Sequence, residues 1–119
     1  MAVVEDNPDN RILVRAILEE FYDVVDYEDG RSAILGITTT PPDLILMDIS
    51  LPEMDGVEIL CKLREDQELK KIPAIALTAF AMEGDRERFL NAGFEEYIAK
   101  PIDEDLLLKA IRMLLGEEH

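Results

Sequence analysis

The sequence has one cysteine, no tryptophan and no long run of apolar residues, and these absences narrow the possible classes of protein. Cys61 cannot form an internal disulfide, and no residues accompany it at the spacing of metal ligands. No apolar stretch approaches the roughly 20 residues that span a bilayer, and no basic segment leads into an apolar one as in a signal peptide. We therefore expect a soluble, cytoplasmic protein.

Basic residues are also scarce: 12 Lys and Arg stand against 27 Asp and Glu, giving a formal net charge of −15. Direct binding to nucleic acid depends on clustered basic residues, so this balance argues against it. The acidic excess suits a metal ion or a basic partner, although solvated helix faces explain most of it. The chain has 119 residues, of which 48% are hydrophobic, and we expect a single domain over residues 1–119.

Five short runs rich in apolar and β-branched residues predict β-strands. They lie at residues 2–4, 24–27, 44–47, 74–77 and 97–99. Three of them are almost continuously apolar, which is typical of strands buried on both faces of a parallel sheet. A segment with helical spacing follows each run. The alternation predicts an α/β domain in which a βα unit occurs five times, with helices on both faces of the sheet.

The helical segments differ in how clearly their buried faces are marked. In the first, Leu13, Ile17 and Phe21 recur every four residues, and we expect this face to meet the core. In the third, Asp55 is placed to cap the helix and Cys61 is expected to be a small core residue. The second is the weakest, because it contains glycine and runs into three threonines. The last has a broad apolar stripe: Leu106, Leu107, Ala110, Ile111, Leu114 and Leu115.

Four of the predicted strands end in polar residues that can do chemistry: Glu5 with Asp6, Asp48, Thr78 and Lys100. In open α/β sheets, ligands bind at the carboxyl ends of the strands. If the first and third strands are neighbours, three carboxylates converge, and each close pair costs roughly 3–4 kcal/mol at an effective dielectric near 20. Such a cluster needs positive charge, which Mg²⁺ and Lys100 can supply. These groups and the Thr78 hydroxyl are the components of phosphoryl transfer to an aspartate.

Five segments in the same order carry a resemblance to a known family: VVEDN at 3–7, PDLILMD at 42–48, LPEMDG at 51–56, LTA at 77–79 and YIAKP at 97–101. Together they resemble the receiver domains of response regulators in two-component signal transduction. The resemblance covers the whole chain. It implies a flavodoxin-like (βα)5 fold whose five parallel strands have the order 2-1-3-4-5.

The resemblance also implies a role for each residue at the metal and phosphoryl site. Asp48 would be the phosphoacceptor, taking a phosphoryl group from a phosphohistidine. Mg²⁺ would be bound directly by Asp6, through water by Glu5, and by Asp48 and the backbone carbonyl of Ser50. Thr78 would donate a hydrogen bond to a phosphoryl oxygen.

Two further roles are implied at the end of the fifth strand. Lys100 would pair with another phosphoryl oxygen, and its peptide bond to Pro101 is expected to be cis. Tyr97 would be the switch aromatic that moves inward as Thr78 is drawn to the phosphate. Each of these residues also has a plain structural explanation: Asp48 could bond a turn, Thr78 could be a simple strand residue, and Tyr97 could be half-buried without a function.

The implied partners are a histidine kinase or a phosphotransfer protein, and a downstream protein that binds the face formed by helix four, strand five and helix five. We expect a monomer or a phosphorylation-dependent dimer, acting either as a stand-alone regulator of the chemotaxis type or as part of a longer protein. The protein would not be an enzyme beyond catalysing its own phosphorylation and slow autodephosphorylation.

Three other functions fit the sequence less well. A metal-dependent phosphatase with an Asp nucleophile would need an acid two residues later, where Ser50 stands. A nucleotide-binding domain would need a glycine-rich phosphate loop, which the βα turns lack. A receiver-like scaffold that is never phosphorylated would not need the full set of site residues.

Overall fold

The computed structural model describes residues 1–49, 51, 54–79 and 84–116. Strands and helices alternate along this part of the chain, as predicted. In order they are β1 Ala2–Val4, α1 Pro8–Leu18, β2 Val25–Tyr27, α2 Gly30–Thr39, β3 Ile45–Asp48, α3 Gly56–Leu63, β4 Ala74–Thr78, α4 Asp85–Ala92, β5 Glu96–Ala99 and α5 Glu104–Leu115. A short 3₁₀ helix, Leu69–Lys71, precedes β4.

The five strands form one parallel sheet in the order β2-β1-β3-β4-β5, which confirms the expected order. The register pairs Val4 with Met47 and Asp48 with Leu77. The residue that follows β1 is therefore level with the last residue of β3. Because the strands are parallel, their carboxyl ends meet at one end of the sheet, which we call the carboxyl end.

A separate apolar layer covers each face of the sheet, and successive strand residues alternate between the two. One layer joins Val4, Met47 and Ala76 to α2, α3 and α4. The other joins Val3 and Leu46 to α1 and α5. Strands β1, β3 and β4 are buried along their whole length, as their continuous apolar sequences predict, whereas β2 at the sheet edge is largely exposed.

Side-chain caps fix where α1 and α3 begin. The Asn7 Oδ1 atom accepts hydrogen bonds from the backbone N–H groups of Asp9, at 2.8 Å, and Asn10, at 3.2 Å. Asp55 caps α3 in the same way, accepting from the N–H of Glu58 at 2.8 Å. Because Asn7 caps α1, the carboxylate of Asp6 is not needed for that role.

Helix α1 buries a different face from the one that the sequence predicts. Its core side chains are Val14, Ile17 and Leu18, whereas Leu13 remains 44% exposed. Phe21, which is 53% exposed, lies beyond the end of the helix at Leu18. The helix has more apolar residues than the core-facing stripe requires, so two overlapping series satisfy the helical period. Contact with the sheet selects between them, and the predicted series was wrong in two of its three members.

Two smaller predictions about helix packing were also wrong. Cys61 is exposed, because the buried stripe of α3 runs through Ile59, Leu60 and Leu63 on another face. Leu106 is 58% exposed, because α5 turns Leu107 and its successors towards the sheet. None of the described helices is long and apolar enough to cross a membrane.

The weak second helix is explained by the residue that packs on it. At Gly36, an added Cβ would lie 2.3 Å from the ring of Tyr27, so the glycine makes room for this side chain of β2. Asp29 begins the helix by accepting a hydrogen bond from the N–H of Ser32 at 2.8 Å. Gly36 is a poor helix former, but it allows α2 to pack closely against Tyr27 of β2.

Candidate functional site

The carboxyl end of the sheet brings together side chains from strands that are distant in sequence. The Nζ atom of Lys100, which follows β5, lies 2.9 Å from Oε1 of Glu5 and 3.1 Å from Oδ2 of Asp48. Glu5 follows β1, and Asp48 ends β3. The lysine ammonium group is thus shared between two carboxylates, as the sequence pattern predicted for this end of the sheet.

Asp6 completes a cluster of acidic groups with Glu5 and Asp48. One carboxylate oxygen from each residue lies within 4.8 Å of the other two. Glu5 and Asp48 are buried, whereas Asp6 is exposed, so the cluster opens to solvent on the side of Asp6. The Oε2 atom of Glu5 is buried and accepts no hydrogen bond from the described residues. Hard oxygen donors, one of them lacking a partner, fit a small divalent cation such as Mg²⁺.

Burial and the closeness of the carboxylates both affect the ionisation of this cluster. Burial, followed by contact with Asp48, raises the pKa of Glu5 from its ordinary 4.5 to about 7, and Lys100 opposes this rise. Burial by itself would lower the pKa of Lys100, but its hydrogen bond to Glu5 and the negative charge of Asp48 outweigh burial and raise it. Lys100 is therefore charged at neutral pH, while Glu5 titrates near neutrality in the absence of a cation.

Close backbone packing fixes the position of Asp48. Gly56, the first residue of α3, donates its N–H to the carbonyl of Ile49 at 3.0 Å. An added Cβ at Gly56 would lie 2.6 Å from the carbonyl oxygen of Asp48. A side chain there would collide with backbone, so the glycine allows the start of α3 to approach the end of β3.

The remaining predicted site residues lie along β4 and β5. Thr78 is buried at the end of β4, and its carbonyl accepts the N–H of Lys100 at 2.7 Å. The peptide bond between Lys100 and Pro101 is cis, as expected. Tyr97 is half-buried and its ring centroid lies 6.0 Å from that of Phe89 in α4. Ser50, predicted to supply a metal-binding carbonyl, lies outside the described residues.

Two arginines that the sequence patterns did not single out prove to be well connected. At the carboxyl end, Nη1 of Arg11 donates to the backbone carbonyls of Glu5, at 3.0 Å, and Asp6, at 3.1 Å. At the opposite end, the guanidinium of Arg64 lies within hydrogen-bonding distance of several backbone carbonyls and of Glu95. Arg64 directly follows the last residue of α3, and a basic residue at a helix end was a usable signal because it can reach terminal carbonyls.

The arrangement suits the attack of a carboxylate on an electrophile that carries negative charge. The carboxylate of Asp48 can supply an oxygen nucleophile within the acidic cluster, and Lys100 places an ammonium group 3.1 Å from it. An ammonium group and a bound cation would both stabilise the oxygens of a phosphoryl group.

Comparison with known proteins supports this interpretation. Residues 1–112 match the family model of the response regulator receiver domain. The polar-differentiation response regulators DivK of Brucella ovis and Brucella abortus are 44% identical to the chain over 116 residues, covering 97% of this chain and 94% of theirs.

Solved structures of receiver domains have the same fold. The receiver domain of a sensor histidine kinase from Pseudomonas aeruginosa, with a magnesium ion coordinated in its active-site cleft, is 37% identical with a TM-score of 0.89, covering 98% of this chain and 96% of that one. A receiver domain of a histidine kinase from Syntrophus aciditrophicus is 34% identical with a TM-score of 0.87, covering 97% and 88%. The chain belongs to the response-regulator receiver domains.

Proposed function

We propose that this receiver domain is a phosphorylation switch that accepts a phosphoryl group on Asp48 from a phosphohistidine of a histidine kinase or phosphotransfer protein. The observation that carries the proposal is the Lys100 ammonium shared between Glu5 and Asp48 at the carboxyl end of the sheet. An oxygen of Asp48 forms a bond to phosphorus as the bond from phosphorus to the imidazole nitrogen breaks, and the leaving imidazole keeps the electron pair and takes up a proton.

The other site residues would take the roles that the resemblance to the receiver family implies. Lys100 exchanges its contact with Asp48 for one with a phosphoryl oxygen, and the Thr78 hydroxyl donates to another. Glu5, Asp6 and Asp48 would hold Mg²⁺ with the carbonyl of Ser50, and the ion would neutralise charge on the phosphoryl group. Glu5 would act through water, as the family resemblance implies; its Oε1 is bound to Lys100, and its Oε2 has no hydrogen-bond partner among the described residues.

The proposed output is a protein contact on the face formed by α4, β5 and α5. A groove of about 240 Å³ lies between β5 and α5, lined in part by Tyr97, Leu106 and Met113. Leu106 and Met113 are 58% and 71% exposed, so this face offers apolar surface to a partner. Tyr97 links the face to α4 through Phe89, which supports its proposed part in switching. Action in the cytoplasm, as a monomer or a phosphorylation-dependent dimer, belongs to the same proposal.

Labelling with radioactive acetyl phosphate in the presence of Mg²⁺ tests the acceptor. We expect stoichiometric label that hydroxylamine removes, as for an acyl phosphate, and no label on Asp48→Ala. The control is Asp43→Ala, which changes an exposed carboxylate just before β3. Equal labelling of Asp48→Ala and the unchanged protein would refute the assignment of the acceptor.

The output face is tested by ¹⁵N NMR with beryllium fluoride, an analogue of the phosphoryl group. We expect amide shifts in α4, β5 and α5 that disappear in Asp48→Ala. Tyr97→Ala should reduce the shifts in α4 while leaving labelling of Asp48 intact. Shifts confined to the carboxyl end of the sheet would contradict the proposed output surface.

A further inference from the structure

The turn that carries Glu5 and Asp6 is held in place by a side chain from the helix that follows it. Nη1 of Arg11 donates to the carbonyl of Glu5 at 3.0 Å and to the carbonyl of Asp6 at 3.1 Å. These two residues form the acidic pair of the cluster with Asp48. A single nitrogen atom thus donates to the backbone carbonyls of both residues of the acidic pair.

Arg11 is itself oriented by its neighbours. Its backbone N–H donates to the carbonyl of Asn7 at 3.0 Å, in the first turn of α1. Its Nε atom lies 4.0 Å from Oδ2 of Asp26 in β2. The side chain is 21% exposed, so the guanidinium is largely enclosed between α1, the turn and the edge strand. A planar group held on two sides can fix the backbone that it contacts.

The rest of the turn is restrained on either side of these two carbonyls. The N–H of Glu5 donates to the carbonyl of Tyr27 at 3.0 Å, and Asn7 caps the helix. Arg11 therefore restrains the carbonyls of Glu5 and Asp6, in a turn that is already held at its start by Tyr27 and at its end by the Asn7 cap. A group that bonds to a ligand residue away from the metal holds that ligand in position. It contributes to metal affinity, because an unrestrained ligand loses conformational freedom when the ion binds.

We propose that Arg11 is a positioning residue for the Mg²⁺ site: it fixes the backbone of Glu5 and Asp6 so that their carboxylates face Asp48 before the ion binds. The proposal rests on the proposed function, because it assumes that this cluster binds Mg²⁺. The proposal predicts whether Mg²⁺ binding becomes weaker or tighter when Arg11 is replaced. The positive charge of Arg11 by itself repels a cation, so removing it would tighten Mg²⁺ binding if charge dominated, whereas loss of positioning would weaken it.

Titration of Arg11→Met with MgCl₂, followed by ¹⁵N NMR, separates the two effects. We expect the Mg²⁺ dissociation constant to rise about tenfold. Arg11→Lys keeps the charge and three donors, and should recover much of the affinity. The control is Arg15→Met, one turn further along α1, which removes an ion pair with the same Asp26, at 3.4 Å, from a side chain that donates to Glu19. Its dissociation constant should stay within twofold of the unchanged protein.

Each outcome of the titration supports or overturns a defined statement. Unchanged or tighter binding by folded Arg11→Met overturns the positioning role, as does equal weakening by Arg15→Met. A variant that merely unfolds more easily would show a lower melting temperature with an unchanged dissociation constant, which also overturns it. If the unchanged protein binds no Mg²⁺, or Asp6→Asn binds it equally well, the proposed metal site fails, and the role of Arg11 fails with it.

Discussion

The two ends of the sheet differ in the balance between positive and negative groups. At the amino end, the guanidinium of Arg64 lies 2.8, 3.1 and 2.6 Å from the carbonyl oxygens of Leu69, Lys70 and Ile72, and 3.1 Å from that of Gly93. It also pairs with Glu95 at 3.3 Å. At the carboxyl end, three carboxylates gather around a lysine ammonium that contacts two of them.

The difference distinguishes the end of the sheet that stabilises the fold from the end at which chemistry can occur. Around Arg64, one positive charge is matched by the one carboxylate of Glu95, and Glu95 in turn accepts the N–H of Ala74 at 2.6 Å, so α3, β4 and the segment before β5 are joined. Around Lys100, negative groups exceed positive ones, and the Oε2 atom of Glu5 is buried without a partner among the described residues. The matched end stabilises the fold, and the unbalanced end can gain stability from a cation or a phosphoryl group.

Replacing Arg64 should give the largest loss of stability. We expect Arg64→Met to lower the free energy of unfolding by about 3 kcal/mol, because several charge-assisted hydrogen bonds to backbone carbonyls are lost together. Urea denaturation measures the change, with Arg86→Met on the exposed surface of α4 as the control. Saturating Mg²⁺ should leave the difference unaltered. A loss below about 1 kcal/mol would mean that the carbonyls are satisfied without Arg64.

Replacing Lys100 should give a somewhat smaller and pH-dependent loss. Lys100→Met leaves Glu5 and Asp48 without their shared ammonium group, and we expect a loss of about 2.5 kcal/mol at pH 8 without Mg²⁺. The loss should shrink at pH 6, where Glu5, whose pKa is already raised to about 7, can take up a proton. Denaturation at both pH values measures this, and an equal loss at each would show that the charges of the pair are not what matters.

Replacing Glu5 should produce the smallest change, and a gain. Because burial raises the pKa of Glu5 from 4.5 to about 7, the folded protein binds this proton more tightly than the unfolded chain does. Its contribution to stability is therefore full below pH 4.5 and is lost as the pH rises through 7. Glu5→Gln mimics the protonated form, and should stabilise the metal-free protein by about 1.5 kcal/mol at pH 8.

The matched measurement for Glu5→Gln is at pH 5, where we expect almost no difference from the unchanged protein. Thermal unfolding at the two pH values in the presence of a chelator gives both numbers. A variant that is less stable than the unchanged protein at pH 8 would mean that the ion pair with Lys100 outweighs the penalty of burying the charge.

Strands and strand ends were predictable because their signals are local. Continuous apolar runs placed β1, β3 and β4, and the next polar residue in each case fixed a site position such as Asp48. Parallel strands bring their carboxyl ends together whatever the rest of the chain does. The convergence of Glu5, Asp48 and Lys100 followed from that rule, and the strand order itself came from resemblance to the receiver family.

Helix faces and arginine contacts were not predictable in the same way. Helix α1 satisfies the helical period with two series, and the sheet buries Val14 and Leu18 where the sequence favoured Leu13. The carbonyls that Arg11 and Arg64 reach belong to turns whose geometry no residue pattern encodes. A basic residue at the end of a helix signals that its side chain can reach backbone carbonyls, but which carbonyls it reaches emerges only from the folded chain.

The contact between Lys100 and Glu5 has a consequence for biosynthesis, because it joins residues separated by 95 positions. A ribosome releases β1 and β3 with their carboxylates long before β5 is made, and until then the lysine is missing from the cluster. The charge balance of the cluster is therefore completed last, when the sheet gains its fifth strand and Lys100 reaches Glu5 and Asp48.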